Sequence, residues 1–181
     1  MNYQTLRDAN VVRQQEWDPY GKASNMAWRL NELGGEVGEV CNILKKIHRE
    51  RMNVPGSRAT KCQLAEELAD VVICIDLAAM EAGCDEIRIL NVTPPILFDH
   101  LPEYGVVLLS RMGRVCAQPH DHGGPLALLL DAVYALANRE GINIEMAVAA
   151  KFNATSAKTG LRTTLRLDPS DVGYEYGVSQ Y

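Results

Sequence analysis

The chain has 181 residues, 47% apolar and 23% charged, with few aromatics and a net charge of −5. That length supports one domain with a real core, and an acidic balance without any block of Lys and Arg argues against a nucleic-acid-binding surface. Residues 1–15 are polar with no apolar leader core, and no stretch approaches a membrane span, so the expectation is a cytoplasmic protein with neither a membrane nor a nucleic-acid partner.

Leu33, Val37, Val40, Leu44 and Ile47 recur at steps of four and three, which predicts an amphipathic helix over about residues 27–48. Its polar flank carries Glu36, Glu39 and Lys46. Gly34, Gly35 and Gly38 interrupt it at about 1 kcal/mol each relative to Ala, so close helix approach or backbone access near the acids is the expected compensation. Trp28 on the same helix reads as core or interface. Pro55 and Gly56 break the chain before a second helix over about residues 59–82, closed by Gly83. This helix starts amphipathic, with Glu66, Glu67 and Asp70 set against Leu64, Leu68 and Val72. Beyond Asp70 it is apolar nearly all round, a pattern that calls for burial on most sides and suggests a partner subunit. Asp76 inside that run should meet a base, a hydrogen-bond donor or a subunit boundary, since an unpaired buried carboxylate is costly.

Pro94, Pro95 and Pro102 mark a connection, and helices are expected over about residues 103–117, 125–140 and 144–155. The end after Lys158 reads as extended or loose. His120 and His122 in the polar loop 118–124 read as loop residues, because no third strong metal ligand lies nearby. Cys41, Cys62, Cys74, Cys84 and Cys116 are odd in number and form no C-x-x-C pair, so they read as reduced and structural. The run E-V-G-E-V-C at 36–41 echoes R-M-G-R-V-C at 111–116. It is either a coincidence of short helical text or a duplicated helical pair that exchanged its acids for Arg111 and Arg114, which could then face phosphate.

The acidic pairs carry the chemistry. Glu36 with Glu39 and Glu67 with Asp70 are each three apart, so each pair lies on one helix face. If the two helices pack together, four carboxylates converge, and each like pair about 5 Å apart costs roughly 3 kcal/mol at an effective dielectric near 20. A divalent cation with oxygen ligands resolves that conflict. Mg²⁺ is the usual choice where water and phosphate fill the other coordination positions, and Mn²⁺ shares the ligand preference.

The motif G-E-V-G-E-V-C-N at 35–42 followed by E-E-L-A-D-V-V-I at 66–73 resembles the MazG-like family of all-α nucleoside triphosphate pyrophosphohydrolases, with their E-x-x-E and E-x-x-D signature. The segment K-F-N-A-T-S-A-K-T-G-L at 151–161 is similar to that family's closing helix. The resemblance covers about residues 14–90 and 142–161. It implies one all-α domain over residues 1–181, a MazG-like helical bundle that assembles as a homo-dimer or homo-tetramer. Residues 91–141 stand outside it, as an insertion or a degenerate helical repeat. The implied activity is Mg²⁺-dependent hydrolysis of nucleoside triphosphates, deoxynucleotides above all, to monophosphate and pyrophosphate, in control or cleaning of the nucleotide pool. Glu36, Glu39, Glu67 and Asp70 become metal ligands and catalytic groups. Lys45 and Lys46 are either triphosphate contacts or solvated lysines near a helix C-terminus. Lys151, Asn153 and Lys158 match nucleotide contacts, and Trp17 matches an aromatic that stacks on the base. Related readings are dimeric dUTPase-like or phosphoribosyl-ATP pyrophosphohydrolase activity, or a non-catalytic helical oligomer that binds nucleotide.

Overall fold

The computed structural model describes residues 3–85, 87, 98–118 and 121–167, and among them the secondary structure is helical throughout, without a strand. Six helices follow one another: α1 (Tyr3–Trp17), α2 (Met26–Arg51), α3 (Lys61–Glu81), α4 (Leu101–Ala117), α5 (Gly123–Glu140) and α6 (Ile144–Lys158). No helix among the described residues is long and apolar enough to cross a membrane.

Local chemistry sets the ends of the central pair. Asn25 caps α2 by accepting the Trp28 N–H, and Thr60 forms a reciprocal capping box with Gln63 at the start of α3. The predicted stripe Leu33, Val37, Val40, Leu44 and Ile47 is wholly buried. The predicted helices at 27–48, 59–82, 103–117, 125–140 and 144–155 correspond to α2 through α6, with boundaries shifted by three residues at most.

The helix α3 lies at the centre and touches α1, α2, α5 and α6. Every residue from Val71 to Ala79 is buried within this one chain. The apolar circumference of α3 therefore needs no partner subunit to cover it: α5, from the middle of the chain, does part of that work. Burial of α3 thus no longer argues for an oligomer, and the expected homo-dimer or homo-tetramer must rest on other grounds.

The hairpin α4–α5 also packs on α2. Gly34 of α2 lies against Met112 of α4, and the Cys41 thiol donates to the carbonyl of Gly105, so α2 and α4 run antiparallel. A Cβ on Gly105 would stand 3.3 Å from the Cys41 sulfur, which makes a side chain there tight. Gly35 and Gly38 behave differently. A Cβ on either would meet nothing within 4 Å, so these two leave the helix surface bare rather than admitting a neighbouring helix.

The first helix was not expected from the sequence. Its inward face is Leu6, Asn10 and Arg13, spaced by four and three as a helix requires but largely polar, so residues 1–15 show no apolar periodicity. Across that face Asp76, 1% exposed, finds what its position demanded: Arg7 Nε at 2.8 Å and Asn10 Nδ2 at 2.8 Å. Burial pushes the Asp76 carboxyl up, while Asn10 and Arg7 pull it back. The segment after α6 is held as well. Glu16 accepts the backbone N–H groups of Arg162 and Thr163 at 2.8 and 3.0 Å, and Leu165 is buried. Of the two readings for the end after Lys158, extended or loose, these bonds remove the second as far as Leu167, the last described residue.

Candidate metal centre

Helices α2 and α3 are antiparallel neighbours joined by a short connection, so facing positions sum to a nearly constant number. Glu36 opposite Asp70 and Glu39 opposite Glu67 both satisfy that register. Carboxylate oxygens of Glu36, Glu67 and Asp70 all lie within 4.8 Å of one another, each side chain half-buried. Glu39 is more exposed and stands at the edge, beside Glu67.

The electrostatics follow from this crowding. Burial, then the charges of Asp70, Glu39 and Glu67, push the Glu36 carboxyl up to about 7. Burial and the Glu39 contact raise Glu67, and burial raises Asp70 against the pull of Lys151. Lys151 Nζ of α6 sits 2.6 Å from Asp70 Oδ2. Burial disfavours the Lys151 ammonium, but its hydrogen bond to Asp70 and the surrounding acids outweigh that and raise it. Crowding and burial thus favour protons on the cluster, and the Lys151 ammonium stands against its Asp70 edge. The donor set is all carboxylate oxygen, which suits Mg²⁺ or Mn²⁺ over softer metals.

A groove of about 440 Å³ opens beside the acids between α3 and α6. Ala65, Ala147, Ala150 and Ala154 line it together with Lys151 and Lys158, so two of the expected substrate-binding lysines stand at one cavity. Asn153 is elsewhere. Its amide holds the segment after α6, donating to the Leu165 carbonyl at 3.0 Å and accepting the Leu165 N–H at 2.8 Å. Lys46 is half-buried and Lys45 exposed, and both follow Glu39 along α2 by roughly 9–11 Å at 1.5 Å per residue.

Trp17 closes α1 and is 42% exposed. Trp28 is 49% exposed, so it does not belong to the core. It stands eight residues before Glu36, roughly 12 Å along the axis of α2. His120 lies outside the described residues; His122 is buried at the start of α5. Arg111 donates to the Leu128 carbonyl and, with the exposed Arg114, lines a separate cavity of about 470 Å³ near the end of the α4–α5 hairpin where the two helices are joined. All five cysteines are free thiols.

Periodicity missed one part of this site. Arg29 and Glu32 precede Glu36 at helical spacing on α2, and Arg29 is 4% exposed. It donates to Glu32 at 3.0 Å and to Gln14 of α1. Arg13 of α1 stacks its guanidinium 3.7 Å above the Phe152 ring. The spacing of Arg29, Glu32 and Glu36 was visible in the sequence; the arrival of α1 beside them was not.

Compared with family models, with curated proteins and with solved structures, the chain matches none.

Proposed function

We propose that this chain is a Mg²⁺-dependent nucleoside triphosphate pyrophosphohydrolase of MazG-like type. The carrying observation is the convergence of Glu36, Glu67 and Asp70 within 4.8 Å, with Glu39 against Glu67, from two adjacent antiparallel helices. Three or four carboxylates held this closely are self-repelling unless protonated or bridged by a cation, and the pattern E-x-x-E with E-x-x-D supplies them in the register the proposal needs.

In this reading Glu36, Glu67 and Asp70 hold the metal and Glu39 completes the set from the solvent side. When bound, Mg²⁺ neutralises phosphate charge and lowers the pKa of a coordinated water, the chemistry that phosphoanhydride hydrolysis requires. Any carboxylate of the four that does not ligate can orient that water. Lys151 leaves Asp70 and turns to the phosphate chain, and Lys158 supports it from the same groove. The half-exposed Trp17 and Trp28 offer aromatic faces for a base. A homo-oligomer remains part of the proposal on family resemblance, although one chain already covers α3.

Pyrophosphate release measured across ribo- and deoxynucleoside triphosphates, dUTP and phosphoribosyl-ATP, with Mg²⁺ or Mn²⁺, tests the activity and separates the related readings. Nucleotide binding without turnover on any substrate would favour a non-catalytic role, and the absence of both would sink the proposal.

Two further results are expected. Because the folded chain holds the Glu36 proton up to about pH 7 against an ordinary value near 4.5, it binds that proton more tightly than the unfolded chain does. Its contribution to stability is therefore full below about 4.5 and lost as pH rises through 7. Glu16 is shifted the opposite way, to about 2, by its hydrogen bonds from Arg162 and Thr163, so its change falls below the window of interest. Without metal, thermal melting should fall from pH 5.5 to 8, Mg²⁺ should raise it more at pH 8 than at 5.5, and Glu36→Gln should flatten both trends. Equal Mg²⁺ shifts at the two pH values would contradict the assignment. Separately, Lys151→Met removes the resident cation, so it should tighten metal affinity while slowing turnover, as measured by Mn²⁺ titration and pyrophosphate release. Weaker metal binding in that variant would show that Lys151 supports the metal site rather than competing for it.

A further inference from the structure

Two guanidinium groups lie beside the acids, and neither is fully satisfied. Arg13 is 5% exposed and Arg29 4% exposed. The Nη1 of Arg13 and the Nε of Arg29 are buried without a hydrogen-bond partner. Arg29 has one carboxylate, Glu32, and one amide, Gln14. For Arg13 the only hydrogen bond among the described residues is from Nη2 to Asn10 at 3.1 Å, and the Phe152 ring covers its face. Its electrostatic neighbours are Cys74, Glu32, Asp70 and Arg29, which places it on the flank of the acidic cluster, and Asp70 is already engaged by Lys151. A buried cation with no carboxylate in contact is unfavourable, and a second cation nearby makes it worse. Native structures rarely leave such donors unmet, and an oxyanion with several acceptor oxygens is the complementary group.

We propose that Arg13 and Arg29 form an oxyanion subsite that takes the phosphate chain of the substrate beside the acidic cluster. The inference rests on the pyrophosphohydrolase reading for its substrate, but the anion-binding chemistry stands without it. Because neither orphan nitrogen is exposed to solvent, α1 must shift for an anion to enter. Among the α1 residues whose side chains are described, Leu6 alone is a buried hydrophobe, and the ties nearest the arginines are polar: Arg13 to Asn10, Gln14 to Arg29, and Glu16 to the strap at Arg162 and Thr163. These ties can be exchanged for contacts to phosphate at small net change, while the Arg7 and Asn10 contacts to Asp76 stay as the anchor of the helix. Lys151 then approaches the chain from α6 and the two arginines from α1 and α2.

The test is calorimetric titration of inorganic pyrophosphate into the full chain, with chelator present so that no metal contributes. The wild type should bind, Arg13→Met should weaken binding at least tenfold with its helical circular dichroism retained, and Arg13→Lys should weaken it less. The melting temperature of free Arg13→Met should hold or rise, since an unmet cation has been removed; a purely structural arginine would lower it. Should Arg13→Met fail to fold, Arg13→Lys decides, because it keeps the charge and loses the fork. Unchanged pyrophosphate affinity in the lysine variant, or no metal-free binding by the wild type, overturns the subsite. Asp70→Asn separates the two ideas: it should retain metal-free pyrophosphate binding. If no nucleotide is hydrolysed yet pyrophosphate binding depends on Arg13, the catalytic reading falls and the subsite stands. If turnover is present while Arg13→Met keeps both pyrophosphate affinity and KM, the subsite falls alone.

Discussion

Turnover should drop at least about 100-fold in Glu39→Gln and in Asp70→Asn, since even groups one step removed from a metal typically change affinity or activity by 10–100-fold. The two substitutions probe different positions. Asp70 is an inner member of the cluster and the partner of Lys151, so its amide loses a metal ligand and releases the lysine. Glu39 stands at the exposed edge against Glu67, so its loss removes a negative charge that the inner acids resist. Neither change should harm the fold. In the absence of metal both remove one of several like charges, and the melting temperature should stay level or rise. Pyrophosphate release and circular dichroism check the two halves of this expectation. Wild-type rates in both variants would refute the site.

The largest effect on stability is expected at the other end of α3. Arg7→Met leaves the carboxylate of Asp76 buried without its cation, a change that typically destabilises by about 3–5 kcal/mol. For a chain of this size that corresponds to a fall in melting temperature of about 6–20 °C. Part of the loss comes from the carbonyls of Cys84 and Asp85, which the same guanidinium holds at 2.7 and 3.2 Å after the end of α3. Adding Asp76→Leu to Arg7→Met should recover much of the stability, because it removes the orphaned charge and fills the space with apolar volume. Denaturant unfolding of the two single variants and the double variant measures the coupling. A loss below about 1 kcal/mol in Arg7→Met would mean that the pair is not the anchor of α1 described above.

The chemistry of the site was more legible than its surroundings. Glu36, Glu39, Glu67 and Asp70 could be picked out because spacing within a helix decides which residues share a face, and a carboxylate pair inside an apolar segment stands out. The partnership of the two pairs was conditional on their helices packing together, a condition the structure meets by setting α2 against α3. Lys151 was reachable only through resemblance, since it approaches Asp70 from 81 positions further along the chain. Asn153, reached on the same grounds, is bonded to the strap at Leu165, a contact that no local pattern announces. A polar side chain can serve a ligand or the backbone, and its sequence context looks the same in both cases. Trp28 reads from its place on an amphipathic helix as core or interface; it lies off the buried stripe of Leu33 and Val37 and remains half exposed, which removes the core reading.

The sequence alone determined the five helices from α2 to α6, the buried stripe of α2, the apolar circumference of α3 and the four acids. Each depends on neighbours within a few turns, where backbone periodicity converts spacing directly into direction. Only the tertiary structure decided that residues 3–17 form a helix, because its inner face is Asn10 and Arg13 rather than apolar text and becomes buried only when Asp76 and Phe152 are brought to meet it. The same is true of what surrounds α3, which took α5 from its own chain, and of the two buried guanidiniums beside the acids, each with one nitrogen unmet. These depend on contacts between segments tens of residues apart, which local periodicity does not record.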